Sequence, residues 1–285
     1  MPGPLRTFEF HAAPGAWRLS SAPPDPDLAG TVEEYWEVEG RTSAFRERVV
    51  PNGFVELMVN LGPTHHLLTE WGATAWREAW ISGLQDRSLF IESLDGTHLV
   101  SARLHPIGAR HVLGVPMTEV GNSVVDLHAV IGRVAGHLRE RLLAAGSPRA
   151  RFALLERFVR RRFESAPAPH PTARWAAARI EAAHGNVRIS TVCREARVSR
   201  KHLTALFSDH LGVSPKTYAR VHRFSWVLER IQRLTDVDWS DLAYRAGYAD
   251  QSHLVRDFQR HAGASPMTFL RARTPDGSAI LEEAG

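Results

Sequence analysis

The chain has 285 residues and a hydrophobic fraction of 44%, which is enough to build two folded domains and excludes a disordered protein. Its formal net charge is +4, and all its basic residues except Lys201 and Lys216 are arginines or histidines. Arginine is favoured for contacts to phosphates and bases, although a GC-rich genome produces the same bias. The single cysteine, Cys193, excludes an internal disulfide framework and is typical of a reducing compartment.

The amino terminus shows no export signal. The stretch MPGPLRTFEFHAAPGAW has no basic region followed by an apolar run, and no window approaches 18 apolar residues. We therefore expect a cytoplasmic protein with no membrane partner.

The first 125 residues or so have the pattern of short strands. FVELMVNLG (54–62) is apolar and rich in β-branched residues, SLFIESLDG (88–96) ends in an Asp-Gly turn signal, and THLVSARLHPIG (97–108) alternates up to Pro106. Strands at this spacing predict an antiparallel barrel or sandwich.

Helical periodicity begins near Asp126. Apolar residues recur at helical spacing from there to Gly146, and a second helix restarts with Ser147 as its N-cap and Pro148 in its first turn. A Pro/Ala-rich linker follows, and helices with short turns continue to about Arg273. The expected divisions are a β-rich sensor or dimerisation domain at 1–125, a helical linker at 126–165, a helical DNA-binding domain at 166–274 and a flexible tail at 275–285.

A repeat of about fifty residues organises the helical half. The segment from Ser190 aligns with the segment from Ser240 when one extra residue is allowed in the second turn. The matched pairs are Ala196 with Ala246, Leu203 with Leu254, Phe207 with Phe258, Gly212 with Gly263, and Ser214–Pro215 with Ser265–Pro266.

Each copy has the pattern of a helix–turn–helix. In the second copy we expect Ser240 to cap the first helix, Gly247 to adopt a left-handed conformation, and Asp250 to begin the second helix. Leu254 and Phe258, four residues apart, would anchor that helix in the core. One such copy is equally compatible with a plain helical bundle. Two copies joined by an amphipathic helix favour two recognition helices in successive major grooves, about 34 Å apart.

The stretch AYRAGYADQSHLVRDFQRHAGASP (243–266) resembles the signature of the AraC/XylS family of bacterial transcription regulators. The resemblance covers roughly 172–273. It implies a seven-helix domain with two helix–turn–helix units that binds double-stranded DNA at a promoter, with RNA polymerase as a partner. The first copy departs from the pattern, because Arg197 stands where the turn glycine is expected.

The positions that match the recognition helices of the AraC/XylS signature give the expected DNA contacts. Each could touch a base edge or only a phosphate, and Val255 could touch a thymine methyl group. The candidates are Arg200, Lys201, Thr204 and Ser208 in the first unit, and Gln251, Ser252, Val255 and Arg256 in the second.

The amino-terminal half, over about 49–127, resembles the β-rich domain attached to one branch of these regulators. That resemblance implies a cupin-like domain that senses a small-molecule effector, forms a homodimer, or both. Aromatic side chains suit an apolar effector pocket, but tryptophans also fill cores and dimer surfaces. The candidate ligand contacts are Trp36, Trp71, Trp76 and Trp80.

The pattern favours a regulator without catalytic residues, metal or cofactor. No two of the β-region histidines have the His-x-His spacing of a cupin metal site, and adjacent His65 and His66 would face opposite sides of a strand. No phosphate-binding glycine loop or nucleophile elbow occurs, and Cys193 is expected in a core helix. The alternatives are an enzyme whose cupin-like half is targeted to DNA by the helical half, and a protein-binding adaptor. Either activation or repression fits the pattern.

Overall fold

The computed structural model describes residues 1–12, 15–94, 96–166, 168–233 and 237–282. The fold is α+β: an amino-terminal half made of antiparallel sheets is followed by a carboxy-terminal half made of helices. This confirms the predicted fold class. None of the described helices is long and apolar enough to cross a membrane.

Twelve strands lie in the described part of the chain. They are β1 (Arg6–Ala12), β2 (Gly15–Ala22), β3 (Val32–Thr42), β4 (Phe45–Val49), β5 (Val55–Asn60), β6 (His65–Thr69), β7 (Gly72–Trp76), β8 (Ala79–Ser82), β9 (Leu89–Ser93), β10 (Thr97–Leu104), β11 (Val124–Asp126) and β12 (Ala279–Glu282).

Eleven α-helices lie in the same described residues. They are α1 (Pro106–Leu113), α2 (Leu127–Ile131), α3 (Val134–Ala144), α4 (Pro148–Glu164), α5 (Pro171–Ala182), α6 (Ile189–Glu195), α7 (Arg200–Leu211), α8 (Pro215–Arg233), α9 (Trp239–Arg245), α10 (Gln251–Ala262) and α11 (Pro266–Ala272). The helix predicted from Asp126 to Gly146 is divided into α2 and α3, because Gly132 leaves the helical region with φ 65° and ψ −153°.

The strands form two sheets. The first has the order β1-β2-β3-β10-β5-β8-β11 and the second has the order β12-β4-β9-β6-β7. Tyr35, Leu57 and Ala102 on one face of the first sheet are fully buried in a cluster that includes Phe152 of α4. The opposite face of the first sheet looks toward the second sheet, where the ring of Trp76 lies 5.9 Å from that of Trp80.

The two helix–turn–helix units belong to different hydrophobic clusters. Leu203 and Phe207 of the first unit share a cluster with the helices and the first sheet of the amino-terminal half. Leu254 and Phe258 of the second unit share a cluster with Val50, which follows β4. Each unit is therefore packed separately against the amino-terminal half.

The prediction of a flexible tail at 275–285 is wrong for most of that segment. Strand β12 pairs with β4 from Ala279 opposite Val49 to Glu282 opposite Arg46, and it adds an outer strand to the second sheet. Ile280 is 3% exposed within the cluster of the second unit. The tail is ordered because it supplies backbone partners to β4 and an apolar side chain to the core. Residues 283–285 lie outside the described residues.

Candidate nucleic-acid interface

The first helix–turn–helix unit consists of α6, a turn and α7. The Ser199 hydroxyl accepts a hydrogen bond from the His202 amide at 3.1 Å and thereby caps α7. Leu203 and Phe207 are fully buried, as their spacing predicts. Arg197 adopts φ 54°, so the turn keeps a left-handed residue even without glycine. Cys193 lies in α6 and is buried, as expected.

The second unit consists of α9, a turn and α10. Its first helix is capped by Asp238, whose Oδ1 accepts from the amides of Ser240 and Asp241 at 3.0 Å each. The expected cap at Ser240 is therefore wrong, because the helix begins at Trp239, two residues earlier than a cap at Ser240 would place it. Gly247 has φ 75° and Asp250 caps α10 through the His253 amide at 2.7 Å, both as predicted.

The candidate DNA contacts lie in α7 and α10, where the anchors Leu203, Phe207, Leu254 and Phe258 are buried. Ser208 and Val255 are half-buried, and the other six side chains are exposed. The exposed set is Arg200, Lys201, Thr204, Gln251, Ser252 and Arg256. This placement leaves their polar groups free to contact DNA.

Helix α8 connects the two units. It has 19 residues, and Val221, Phe224 and Ile231 on its inner face are buried. At 1.5 Å per residue it spans about 28 Å. This is about 6 Å shorter than the distance between successive major grooves on one face of DNA, about 34 Å.

A buried carboxylate, Asp257, supports the second recognition helix. It is 6% exposed, accepts from the Tyr248 hydroxyl at 3.0 Å, and is bonded to Arg220 of α8. Burial raises the pKa of Asp257, but the hydrogen bond from Arg220 and the charges of His261 and Arg220 outweigh it, so its pKa is lowered. The sequence reading missed Asp257. Asp257 lies three residues after Leu254, so helical spacing places it on the inner face of α10. That spacing was the signal in the sequence that could have identified Asp257.

The carboxy-terminal ends of both recognition helices contact the amino-terminal half. Arg110 of α1 donates through Nη1 to Asp209 of α7, at 3.0 Å to Oδ1 and 3.2 Å to the backbone oxygen. The His261 ring of α10 donates from Nδ1 to the Asp86 backbone oxygen at 2.6 Å, and the Ser88 amide donates to the His261 backbone oxygen at 2.8 Å. The candidate contacts Arg200, Lys201, Gln251 and Ser252 lie at the opposite, amino-terminal ends of these helices.

The two halves also approach each other closely at a pair of glycines. A Cβ atom on Gly121 would lie 2.1 Å from the backbone oxygen of Gly212, the left-handed residue that ends α7. No side chain fits in that space. The absence of a Cβ at Gly121 therefore permits the contact that holds the end of α7.

Three of the four candidate ligand tryptophans line the space between the two sheets. Trp36 and Trp80 lie in one row across the first sheet, and Trp76 of the second sheet contacts Trp80. Trp71 does not belong to this group. It lies in the turn between β6 and β7 and is 90% exposed, because the short hairpin carries it away from the sheet interface.

Glu56 is the centre of a hydrogen-bond network in the same space. Its carboxylate accepts from Trp36 Nε1 at 3.0 Å, Asn52 Nδ2 at 3.0 Å, Ser101 Oγ at 2.8 Å and Arg103 Nε at 2.6 Å. Burial raises the pKa of Glu56, but the charge of Arg103 and these hydrogen bonds outweigh burial and lower it. Glu56 is therefore held ionised and fully bonded.

One set of potential metal ligands occurs in the described residues. Ligand atoms of Glu37, Glu39 and His98 lie within 4.8 Å of one another. Arg151 Nη1 already donates to Glu37 Oε1 at 2.6 Å, and His98 Nε2 lies 3.1 Å from the same oxygen. A guanidinium group competes with a metal ion for that carboxylate, so the cluster is accounted for as an ion-pair network.

Comparison with known proteins agrees with the double helix–turn–helix geometry. A family model described as a helix-turn-helix domain matches residues 192–272, which hold the whole of α7 to α11 and most of α6. The helical half therefore carries an AraC-type helix-turn-helix domain, and this match supports a DNA-binding transcription regulator of the AraC family. A second model, a domain of unknown function (DUF6597), matches residues 20–126.

Individual relatives cover different parts of this regulator. The probable transcription factor PqrA of Proteus vulgaris is 28% identical over 106 residues, which is 36% of this chain and 84% of the relative. A structure of ToxT from Vibrio cholerae has a TM-score of 0.49 and 13% identity over 83% of this chain and 98% of ToxT. The carboxy-terminal domain of AraT, a response regulator from Geobacillus stearothermophilus, has a TM-score of 0.34 and 23% identity over 41% of this chain and 92% of that domain.

Proposed function

We propose that this regulator reads double-stranded DNA with the exposed faces of α7 and α10. The observation that carries the proposal is the division of each helix into a buried anchor row and an exposed polar row. Arg200 and Arg256 have the planar donors that bind guanine in the major groove, and Gln251 has the amide that binds adenine. Lys201, Thr204, Ser208 and Ser252 complete the polar contacts, and Val255 packs on a thymine methyl group.

Two arginine substitutions test this proposal. We expect Arg256→Ala and Arg200→Ala each to weaken binding to a preferred sequence by about 1–3 kcal/mol and to relax the preference at one base pair. Fluorescence anisotropy with a set of single-base variants of the site measures both effects. Arg18→Ala is the control, because Arg18 is an exposed arginine of β2 that is remote from the recognition helices in sequence and pairs with Glu39.

Each outcome of that experiment is informative. Equal losses on every DNA sequence would assign the arginine to a phosphate contact. Wild-type affinity and preference in both variants would contradict the proposed recognition surface.

We further propose that a small-molecule effector bound by the amino-terminal half controls DNA binding. The supporting observation is that this half holds the carboxy-terminal ends of both α7 and α10, through Arg110 and through Asp86 and Ser88. An effector that binds one arrangement of these contacts more tightly than another shifts the protein toward the first arrangement. The ratio of the effector's affinities for the two arrangements limits the resulting change in DNA affinity. Helix α1 packs against α7 of the first unit and against α4, which packs on β3 of the first sheet, and α2 and α3 pack on β8. These helices form the proposed relay.

Arg110 offers a test of this coupling away from the DNA surface. Arg110→Ala removes the hydrogen bonds to Asp209, and we expect it to change DNA affinity at least threefold. Arg18→Ala should leave the affinity unchanged. If Arg110→Ala binds DNA like wild type, the contact at Asp209 does not transmit a signal.

Three further assignments belong to the same proposal. We place the protein in the cytoplasm, with promoter DNA and RNA polymerase as its partners. We also propose a homodimer. The half-exposed Val134 and Leu143 of α3 provide apolar surface for that contact.

A further inference from the structure

An open pocket lies beside the connection between β8 and β9. It has a volume of about 420 Å³ and is lined by Gln85, Asp86, Arg87, Ser88, Leu89 and Asn122. Pockets of several hundred Å³ are typical of small-molecule sites. Five of the six lining residues are polar or charged, so this pocket suits a polar ligand.

The pocket lies where the amino-terminal half holds both recognition helices. The backbone oxygen of Asp86 accepts from the His261 ring of α10 at 2.6 Å. Asn122 directly follows Gly121, which packs against Gly212 at the end of α7. The side-chain oxygen of Asn122 accepts from the Asp86 amide at 2.7 Å and so joins the two loops. A ligand in this pocket therefore contacts both loops that hold the helices.

Arg87 provides an unpaired positive charge at the pocket. Its side chain is exposed, and no residue that the structure describes forms a hydrogen bond or an ion pair with it. The Ser88 hydroxyl and Nδ2 of Asn122 are likewise without a partner in the described part of the chain. A guanidinium group with additional neutral donors suits a carboxylate, because the planar fork of arginine matches the two carboxylate oxygens.

The same pocket offers acceptors. Oδ2 of Asp86 lies 3.9 Å from Nη2 of Arg260, which is too far for a hydrogen bond. Gln85 donates through Nε2 to the Ser123 backbone oxygen at 2.9 Å, and its Oε1 has no partner within the described ranges. A carboxylate and an amide oxygen are acceptors for the three donors of an ammonium group.

The charges at the pocket favour a ligand that carries both signs. Asp86 contributes one negative charge, and Arg87 and Arg260 contribute two positive charges. The His261 ring is uncharged at neutral pH, because burial lowers its pKa. A ligand with only a carboxylate leaves the acceptors of Asp86 and Gln85 unused. A ligand with only an ammonium group adds a third positive charge.

We propose that this pocket binds a small zwitterion of the α-amino acid type, with its carboxylate on Arg87 and its ammonium group on Asp86. This rests on the proposed effector control and specifies the site and the chemical class of the effector. Asp209 of α7 and Arg260 of α10 occupy equivalent positions in the repeat, and each is paired with a residue of the amino-terminal half. The bound ammonium group replaces Arg260 at Asp86. Binding therefore loosens the contact of the second recognition helix and leaves that of the first in place.

Thermal unfolding of the full-length protein, with each of the common amino acids added in turn, is the first test. We expect at least one of them to raise the melting temperature, because a ligand that binds only the folded state stabilises it. Calorimetric titration then compares this amino acid with two counterparts, one without the amino group and one without the carboxyl group. Each counterpart should bind at least tenfold more weakly.

Two substitutions each remove one charge from the pocket. Arg87→Gln and Asp86→Asn should each weaken binding of the amino acid at least tenfold. Arg87→Gln should melt like wild type in the absence of ligand, because the Arg87 side chain has no partner to lose. Arg77→Gln is the matched control, because Arg77 is an exposed arginine between β7 and β8 whose side chain also has no partner among the described residues. It should bind the amino acid like wild type.

Three results would overturn the proposal. They are the absence of any amino acid that raises the melting temperature, unchanged binding by Arg87→Gln and Asp86→Asn, and equal binding of a counterpart that carries only one charge.

These measurements contain no DNA, so their outcome is separate from that of the DNA-binding proposal. A regulator that binds its DNA but no amino acid refutes only the ligand site. An amino acid that changes DNA affinity at least threefold in wild type, but not in Arg87→Gln, supports both the site and effector control. An amino acid that binds at this site and leaves DNA affinity unchanged supports the site and refutes its role in control.

Discussion

Arg48 and Glu282 form an ion pair of 2.7 Å between Nε and Oε1 although they are 234 positions apart in the chain. Arg48 lies on β4 of the amino-terminal half and Glu282 lies on β12, which follows the second helix–turn–helix unit. The ion pair itself is partly exposed and contributes little to stability. Its importance is that it marks a strand pair that connects the last segment of the helical half to the second sheet.

Ile280→Ala tests whether this strand pair stabilises the fold. Ile280 is 3% exposed, and shortening a buried isoleucine to alanine costs about 2–5 kcal/mol. We expect chemical denaturation to show a loss in this range. Leu94→Ala, at a residue that is 52% exposed, should change stability by less than about 0.5 kcal/mol. Equal stability of the two variants would mean that β12 is frayed in solution.

The local pattern of the second unit predicted its fold closely. Leu254 and Phe258 are buried anchors, Gly247 is left-handed and Asp250 is a cap, because helix spacing, turn glycines and caps act within a few residues of the chain. The same reasoning placed six of the eight candidate DNA contacts on exposed surface. Whether these side chains touch bases stays a prediction.

Contacts between distant segments could not be predicted in this way. Two such contacts are the pairing of Ile280 with Arg48 and the hydrogen bond of His261 to Asp86. Both depend on how the two halves pack, and the periodicity of the sequence carries no information about that packing. The short run of residues 279–282 carries too few positions to show strand alternation. The exposure of Trp71 is a further example, because composition identifies an aromatic residue but not the turn that exposes it.

The two turns should respond oppositely to substitution. Arg197 has φ 54°, a conformation that costs a non-glycine residue about 1–2 kcal/mol, whereas glycine pays a smaller entropic cost. We expect Arg197→Gly to stabilise the protein by about 0.5–1 kcal/mol in thermal unfolding. Gly247→Ala should destabilise it by more than about 1 kcal/mol, because the new Cβ would also lie 2.1 Å from the Asn186 side chain. Shifts of the same sign in both variants would contradict this account of the turns.

Glu47→Gln should change the pH dependence of stability. The folded protein holds the Glu47 proton up to about pH 7, whereas the unfolded chain releases it above its ordinary pKa of 4.5. Wild type therefore loses stability as the pH rises from 4.5 to 7, and the glutamine variant lacks this loss. Solvent contact reduces the effect, so we expect the variant to gain about 1–2 kcal/mol over wild type between pH 4.5 and pH 8.

Urea denaturation at several pH values measures this difference. Glu9→Gln, at an exposed position of β1, is the control and should follow wild type across the range. A constant difference between Glu47→Gln and wild type at all pH values would show that Glu47 does not titrate near neutrality.

The central claim is that the helical half recognises a DNA sequence through two units. The most direct measurement is a titration of the full-length protein against the intergenic DNA upstream of its own gene and against a scrambled control, at two salt concentrations. We predict tight binding that prefers the upstream sequence and weakens steeply with salt, roughly one unit of logarithmic slope per phosphate contacted. Weak binding that is alike for both sequences, with or without a bound effector, would contradict the claim.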